Sequence, residues 1–167
     1  MYYADASRVC LEPCVPYGWQ FPDEDVFMPS AKGRGLTCFG LLSRNNKLMF
    51  STTTQNINST FVFEYLDRLS FMLEKPTVIV LDNASVHTAK IIQQQRNVWE
   101  ERGLILFYLP PYSPQLNLIE ILWKMLKYYW LKPEDYVEEQ LLFYKITLAL
   151  AAVGSSLNIN FSDLALV

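Results

Sequence analysis

The sequence predicts an α/β domain built on one mixed five-stranded sheet. Three strand-like segments come first, and two further apolar strands follow, each preceded by a segment with helical periodicity. Strands joined by short polar turns pair antiparallel, whereas strands separated by helices pair parallel. The chain has 167 residues, of which 51% are hydrophobic and 19% charged, so it is long and apolar enough for one such domain.

The first third of the chain predicts the antiparallel part of the sheet. Residues 1–9 alternate in polarity and form a strand that carries Asp5. Residues 10–35 contain four prolines and predict an irregular excursion or a loose hairpin that ends in a basic, glycine-rich run. The segments Leu36–Leu42 and Lys47–Thr52 flank a short polar turn and therefore predict a hairpin.

The middle of the chain predicts the parallel part. Apolar residues recur at steps of three and four after the Asn-Ser pair at 58–59, either of which can cap a helix, until Pro76 ends the pattern. Thr77–Leu81 is a continuous apolar, largely β-branched run, typical of a strand buried on both faces. A polar helix over Thr88–Arg102 leads into a second apolar strand, Leu104–Leu109.

The last third predicts two helices. The first carries apolar residues at alternating steps of three and four: Leu116, Ile119, Trp123, Leu126 and Trp130. The second begins at Pro133 and ends at Gly154, and residues 155–167 are expected to be loosely held. We therefore expect a domain over residues 1–153 and a C-terminal tail over 154–167. The order β-β-β-α-β-α-β-α-α is that of a ribonuclease H-like fold.

Composition excludes several classes of protein. The net charge of −3 and the isoelectric point near 5.2 argue against a protein that grips nucleic acid by bulk charge, although local basic patches are still possible. Three cysteines and a single histidine do not suit a disulfide framework or a structural zinc site, and they indicate a reduced, intracellular protein. The sequence shows no signal peptide and no apolar run near the roughly 20 residues of a membrane span.

Three acidic residues are candidates for a site. Asp82 directly follows the buried strand Thr77–Leu81, at the edge of the sheet where α/β folds bind ligands. Asp5 lies in the first strand, which a ribonuclease H-like sheet places beside and parallel to that strand. Glu120 lies beside the apolar stripe of the helix that follows the proline-rich turn.

Each acid also has an ordinary structural interpretation, which the residues alone favour for Asp5 and Glu120, while for Asp82 they leave both interpretations open. Asp5 fits an exposed position on an edge strand, and Asp82 fits an Asx-turn at a strand end. Glu120 fits a capping box with Asn117 or an ion pair with Lys124.

Other chemically active side chains give weaker signals. His87 suits packing at a helix start or a place beside Asp82, and without further context the packing role is favoured. Trp123 and Trp130 are expected in the core rather than as a stacking platform. Cys10 and Cys14 make a weak metal motif, because too few soft ligands accompany them.

Two strings of residues resemble a known family. Val80–His87 reads VLDNASVH, and Leu109–Trp123 reads LPPYSPQLNLIEILW. Together they are similar to the catalytic domain of bacterial and archaeal insertion-sequence DDE transposases of the mariner superfamily. The spacing of 38 residues from Asp82 to Glu120 lies within that family's range, and Lys127 stands at a lysine common in it. The resemblance covers roughly residues 1–150.

The resemblance implies a site and a reaction. Asp5, Asp82 and Glu120 would form a triad that holds two Mg²⁺ (or Mn²⁺) ions, hard cations that prefer oxygen ligands. One ion would activate a water or a DNA 3′-hydroxyl, and the other would stabilise the leaving oxygen. The protein would then be an endonuclease and polynucleotidyl transferase that cuts and joins transposon ends. Residues at matching positions are expected to orient the triad: Asn83, His87 and Asn117.

The resemblance also implies partners. The first partner is double-stranded DNA, which includes the terminal inverted repeats of the transposon and the target DNA. The second is another copy of the chain, in a homodimer. The expected location is a prokaryotic cytoplasm, near the nucleoid and away from membranes. Our candidates for phosphate contacts are Lys32, Arg34, Lys124 and Lys127.

Three departures from the family pattern accompany the match, and one of them is that the tail after Gly154 matches no part of the family that we can assign. Ala6 follows Asp5 where the family often has a second acid. The helix-turn-helix region that recognises transposon ends is missing, which suggests a catalytic fragment, whether excised or one product of a split gene.

Two other functions compete with this interpretation. One is an inactive remnant that serves as a dimerisation or regulatory module. The other is a small α/β phosphoryl-transfer enzyme that acts on a metabolite through Asp82, although no glycine-rich phosphate loop follows any strand.

Overall fold

The structure, a computed structural model, describes residues 1–12 and 34–161, and its five strands form one sheet. The strands are β1 (Tyr2–Cys10), β2 (Gly35–Leu42), β3 (Leu48–Thr53), β4 (Thr77–Leu81) and β5 (Leu104–Tyr108). Their spatial order is β3-β2-β1-β4-β5. β2 pairs antiparallel with β1 and β3, while β4 pairs parallel with β1 and β5. The predicted mixed sheet is confirmed, with antiparallel strands on one side and parallel strands on the other.

Helices cover both faces of this sheet. They are α1 (Ser59–Phe71), α2 (Lys90–Glu101), α3 (Ile119–Met125) and α4 (Glu139–Ala151). α1 and α2 pack on one face in a core that includes Phe39, Ile79 and Trp99. α3 and α4 pack on the other face, around Trp123 and Ile146. Successive strand residues point to opposite faces, so β1 sends Tyr3 to the second core and Ala4 to the first.

The ends of α1 and α2 follow local rules. Asn58 caps α1, since its side-chain oxygen accepts a hydrogen bond from the Phe61 amide at 2.9 Å. The helix ends at Phe71, before the Pro76 that the sequence suggested as its limit. α2 is followed by Gly103, whose φ of +87° is the left-handed conformation that ends many helices.

The two C-terminal helices differ from the sequence prediction. The predicted first helix is divided into a 3₁₀ turn (Pro114–Leu116), α3 and a π-helical turn (Leu126–Trp130). The π turn widens the helix, and the Leu131 amide bonds to the Leu126 carbonyl. Apolar spacing cannot reveal such a turn, because it changes the register by only one residue.

The second predicted helix is also divided. Pro133–Tyr136 forms a separate 3₁₀ turn, and α4 begins only at Glu139. The Asp135 carboxylate accepts a hydrogen bond from the Lys132 amide at 2.9 Å, so this acid closes the short turn. The acids after Pro133 therefore mark the start of a 3₁₀ turn and not of the long helix.

Residues 155–161 are anchored, in contrast to the loosely held tail that the sequence suggested. Ile159 is buried in the core of the α3 and α4 face. Its backbone is bonded twice to the side chain of Asn46: the Ile159 amide donates at 2.7 Å, and its carbonyl accepts at 3.1 Å. Asn46 lies in the β2–β3 turn with a φ of +57°. The anchor depends on a contact between positions 113 residues apart, which local sequence cannot show.

Some predicted features fall outside the described residues. Most of the excursion over residues 10–35 is among them, as are Cys14 and Lys32. Within the described ranges, no helix has both the length and the apolar character needed to cross a lipid bilayer.

Candidate active site

Asp5 and Asp82 lie on neighbouring parallel strands. In the register of β1 and β4, Tyr2 pairs with Ile79 and Tyr3 with Val80. If this register is continued for two more residues, Asp5 lies opposite Asp82. Asp82 is the first residue beyond the carboxyl end of β4. Tyr3 and Val80 both contribute to the core under α3 and α4, so alternation directs the two acids to that same side.

Asp5 is held by the third helix. Its Oδ2 accepts a hydrogen bond from the indole Nε1 of Trp123 at 3.2 Å. The pKa of the Asp5 carboxyl is raised from 3.8 to about 6, mainly by burial. The nearby charges of Glu120 and Asp82 contribute to this rise, and the hydrogen bond from the Ala6 amide opposes it. Asp5 is therefore not the exposed edge residue of the ordinary interpretation.

Asp82 is held by its own turn. Its Oδ1 contacts His87 Nδ1 at 2.6 Å and accepts a hydrogen bond from the Ala84 amide at 3.1 Å. The amide contact is the Asx-turn of the ordinary interpretation, and the histidine contact is additional. The hydrogen bond with His87 is the main cause of a lowered Asp82 pKa.

His87 connects Asp82 to the core. Its side chain is 1% exposed, and its ring lies near Phe39 with centroids 6.4 Å apart. The His87 carbonyl accepts a hydrogen bond from the Tyr108 hydroxyl at 2.8 Å. The second ring nitrogen, Nε2, is buried without a hydrogen-bond partner among the described residues. His87 thus combines the two roles that the sequence left open, since it packs in the interior and lies beside Asp82.

Glu120 extends from the first turn of α3 towards the same edge. Burial raises its pKa, and the charge of Asp82 adds to this, while Lys127 opposes it. Within residues 34–161, no Glu120–Lys124 ion pair forms. The Asn117 side chain does not cap α3, because its Nδ2 donates to the Ala4 carbonyl at 3.2 Å. Neither ordinary interpretation of Glu120 holds.

Asp82 and Glu120 line one cleft of about 360 Å³ at the carboxyl edge of the sheet. Two loops form its walls: the turn after β4 and the proline-rich turn between β5 and α3. Asn83 joins these walls, because its Nδ2 donates to the Leu109 carbonyl at 2.6 Å. Asn117 lies at the cleft as well, 2% exposed, with its Oδ1 lacking a partner among the described residues.

Gly40 sets the distance between α3 and the sheet. It pairs with Asp5 across β1 and β2. A Cβ atom at this position would approach side-chain atoms of Ile119 and Trp123, each at 3.1 Å. Only glycine therefore lets the Trp123 indole lie close enough to reach Asp5 without displacing its neighbours. Sequence reasoning missed this role, as well as the Trp123 hydrogen bond, because apolar spacing identifies Trp123 only as a core residue.

The three acids supply hard oxygen ligands, which suit Mg²⁺ or Mn²⁺. Desolvation and, to a smaller extent, mutual repulsion raise the pKa values of Asp5 and Glu120, and a bound cation would relieve the repulsion. In the described part of the chain, however, no three acidic, histidine or cysteine side chains are gathered closely enough to hold a metal ion. Asp5 is instead engaged by Trp123, and Asp82 by His87.

The candidate phosphate-binding residues in the described ranges differ in their ion pairs, their exposure and their closeness to the three acids. Arg34 forms an ion pair with Glu139 of α4 at 3.1 Å. Lys124 is exposed on α3. Lys127, in the π turn, is close enough to Glu120 to affect its pKa. Trp123 is 3% exposed, which confirms its predicted place in the core, and Trp130 is partly buried.

Comparison with known proteins agrees with this architecture. A family model described as DDE superfamily endonuclease matches residues 1–141. No curated protein matches the chain.

Solved structures match the fold. The Mos1 strand transfer complex has a TM-score of 0.54 at 13% identity, and the match covers 90% of this chain and 51% of that one. The Mos1 mariner paired end complex with Mn has a TM-score of 0.57 at 13% identity over 93% of this chain and 52% of that one. The simian T-cell lymphotropic virus intasome, in complex with the PP2A regulatory subunit B56 gamma, has a TM-score of 0.60 at 15% identity over 82% of this chain and 49% of that one. The predicted ribonuclease H-like fold is confirmed, and this chain spans about half the length of each of these three chains.

Proposed function

The chain belongs to the DDE superfamily endonuclease family, and we propose that it is the catalytic part of a transposase. In this proposal it cleaves and joins DNA strands at transposon ends with two Mg²⁺ (or Mn²⁺) ions. One observation carries this proposal. Asp5, Asp82 and Glu120 come from a strand, a strand end and a helix, and they interact electrostatically at one edge of the sheet. Acids that repel one another are unfavourable for folding, so their presence together supports a binding role.

The three acids would hold the metal ions, with each of two carboxylates positioned by a neighbour. His87 fixes the rotamer of Asp82, and the Trp123 indole fixes one oxygen of Asp5. Metal ions in such a site supply an activated nucleophile and stabilise the leaving oxygen during displacement at phosphorus. Asn83 and Asn117 would keep the cleft in shape, since each ties a cleft segment to a neighbouring backbone carbonyl.

The proposed substrate is double-stranded DNA, with terminal inverted repeats and target, bound by a homodimer in a prokaryotic cytoplasm. Phosphate contacts are proposed for Lys32, Arg34, Lys124 and Lys127. Of these, Lys127 is the one whose charge acts at the site, since it opposes the rise in the pKa of Glu120. We propose residues 1–153 as the catalytic domain and 154–167 as a C-terminal tail.

Metal binding tests the proposal most directly. Mn²⁺ binding is measured by calorimetry for the parent chain, for Asp82→Asn and for Glu64→Gln, a control that removes an exposed acid from α1. We expect the parent and the control to bind Mn²⁺ and Asp82→Asn to lose at least about tenfold in affinity. Nicking of supercoiled plasmid DNA should require Mn²⁺ or Mg²⁺ and disappear in Asp82→Asn. Equal Mn²⁺ affinity in the parent and Asp82→Asn would refute the site assignment.

A further inference from the structure

Tyr112 has an unusual position at the mouth of the cleft. It lines the same cleft as Asp82 and Glu120, in the turn between β5 and α3. The residue is 101% exposed, as open to solvent as in an extended peptide, and no other aromatic residue in the described ranges exceeds 69%. A tyrosine that packs against nothing contributes no hydrophobic stabilisation to the fold.

The backbone at Tyr112 is also unfavourable for this residue. Its φ is +57°, in the left-handed region that bulky L residues rarely adopt. Strain of this kind persists only where the surrounding structure enforces it, and such positions cluster at ligand-binding sites.

The surrounding turn enforces that conformation. Leu109 is tied to the end of β4, because its amide donates to the Leu81 carbonyl at 2.8 Å and its carbonyl accepts from Asn83. On the other side, the Asn117 amide bonds to the Pro114 carbonyl at 2.9 Å, which closes the 3₁₀ turn. Prolines at 110, 111 and 114 restrict the backbone between these two anchors. Tyr112 is therefore presented outward by a stiff support.

We infer that Tyr112 stacks on the face of a nucleobase next to the scissile phosphate, after that base has left the duplex stack. The inference rests on the proposed function and extends it to the recognition of the substrate strand. A strand whose phosphate lies between Asp82 and Glu120 must pass the mouth of the cleft, where Tyr112 stands. A protein partner that covered Tyr112 would also block the cleft, so a DNA base is the occupant that fits.

The chemistry of stacking suits this position. Every base presents a π face, so an aromatic platform binds it without reading sequence. Taking a base out of the duplex has an energetic penalty, which is smallest for bases that are already unpaired. A preorganised ring at the cleft offsets part of this penalty at the moment when the strand bends into the site.

The test compares Tyr112→Ala with Tyr112→Phe, which keeps the ring, and with Tyr144→Ala, which removes another exposed tyrosine from α4. Cleavage is measured on duplex DNA at a site mapped with the parent chain in Mn²⁺. We expect Tyr112→Ala to lose about tenfold in rate, and Tyr112→Phe and Tyr144→Ala to retain the parent rate. The same rates are measured on two abasic duplexes, each of which lacks one of the two bases that flank the scissile phosphate. On the duplex that lacks the base bound by Tyr112, the parent and Tyr112→Ala should cleave at the same rate. A loss of the same size on both abasic duplexes, or none on intact DNA, would overturn the inference.

A second measurement does not require cleavage. Parent and Tyr112 variants, each also carrying Asp82→Asn, are mixed with a duplex whose single-stranded overhang contains 2-aminopurine. Stacking on Tyr112 should lower the fluorescence with the parent ring and with Tyr112→Phe, but not with Tyr112→Ala. Equal fluorescence for all three would reject stacking even if the chain cleaves DNA. Ring-dependent quenching, together with no Mn²⁺ binding by the parent chain that retains Asp82, would support stacking and refute the proposed nuclease function. Each Tyr112 variant should have the same thermal midpoint of unfolding as the chain that keeps Tyr112 and has the same residue at position 82, since the Tyr112 ring packs against nothing.

Discussion

Asp5 and Asp82 are neighbours on the sheet, yet their carboxyl groups are shifted in opposite directions. The pKa of Asp82 is lowered, because His87 and the Ala84 amide stabilise its charged form. The pKa of Asp5 is raised to about 6, because burial and the charge of Glu120 disfavour ionisation. One acid is thus stabilised as an anion, while the other is ionised at neutral pH only against its surroundings.

This difference predicts how stability depends on pH. The pKa of Asp5 is about 6 in the folded chain, against an ordinary value of 3.8, so between these values the folded state holds a proton that the unfolded state has lost. Stability therefore falls as pH rises through this window. In a chelating buffer, Asp5→Asn should be more stable than the parent at pH 7.5 by on the order of 2 kcal/mol, and equally stable below pH 4. Urea unfolding at both pH values measures the difference.

The control for this experiment is Glu64→Gln, which removes an exposed acid from the opposite face of the sheet. It should track the parent at both pH values. A stability gap for Asp5→Asn of the same size at pH 4 and pH 7.5 would contradict the explanation, because it would be independent of ionisation. Addition of Mn²⁺ should stabilise the parent at pH 7.5 and should stabilise Asp5→Asn much less.

The third helix carries Glu120 into place because β2 allows it to approach. α3 has only seven residues, and it packs through Trp123 and Ile119 onto Gly40. The same packing directs the Trp123 indole to Asp5. Close packing of this helix on the sheet thus positions two of the three acids.

Gly40→Ala should therefore disturb stability and the site together. The new methyl group would meet Ile119 and Trp123 at 3.1 Å in a fully packed core. We expect a loss of about 1–3 kcal/mol in unfolding free energy, with a weaker affinity for Mn²⁺. Calorimetric unfolding and Mn²⁺ titration measure the two effects.

A double-mutant cycle with Ile119→Val distinguishes this contact from a general effect on the strand. Ile119→Val removes the Cδ1 atom that the new methyl group would meet, so the double variant should lose less than the sum of the two single variants. If the losses of unfolding free energy in the two single variants simply add up in the double variant, the contact between position 40 and Ile119 is not the reason for the requirement for glycine.

At the scale of the whole molecule, residues 155–161 connect the end of α4 to the β2–β3 turn. After α4 the chain returns to the β2–β3 turn, where Ile159 is buried and Asn46 bonds to its backbone. Gly154 permits this return with a φ of +83°, close to the Asn46 carbonyl. This contact holds α4 against the antiparallel edge of the sheet, opposite the edge that β5 forms.

Loss of the anchor should destabilise the fold without altering the chemistry of the site. Ile159→Ala should lower the unfolding free energy by about 2–4 kcal/mol, since it leaves a cavity in the core. Asn46→Gly keeps the left-handed backbone and should lose about 1–3 kcal/mol through the two missing hydrogen bonds. Ser156→Ala, in the exposed part of the same segment, is the matched control.

Thermal unfolding and Mn²⁺ affinity are measured for all three variants. At a temperature where the variants are folded, their affinity for Mn²⁺ should equal that of the parent. A midpoint for Ile159→Ala within a degree of the parent would show that the segment is not anchored in solution.

Local sequence patterns predicted the order of the elements and the pairing of the strands, and they identified the three candidate acids. These properties are local: strand alternation, helical spacing, N-caps and the strings around Asp82 and Glu120 all lie within a few residues. The other features could not be predicted in this way, because each of them depends on atoms that are far apart along the chain. The Trp123 bond to Asp5, the close approach over Gly40 and the anchor between Asn46 and Ile159 each join positions that no local pattern relates. The divided third helix and the outward Tyr112 belong to this group, since packing and closure of the turn, rather than propensity, fix their backbones.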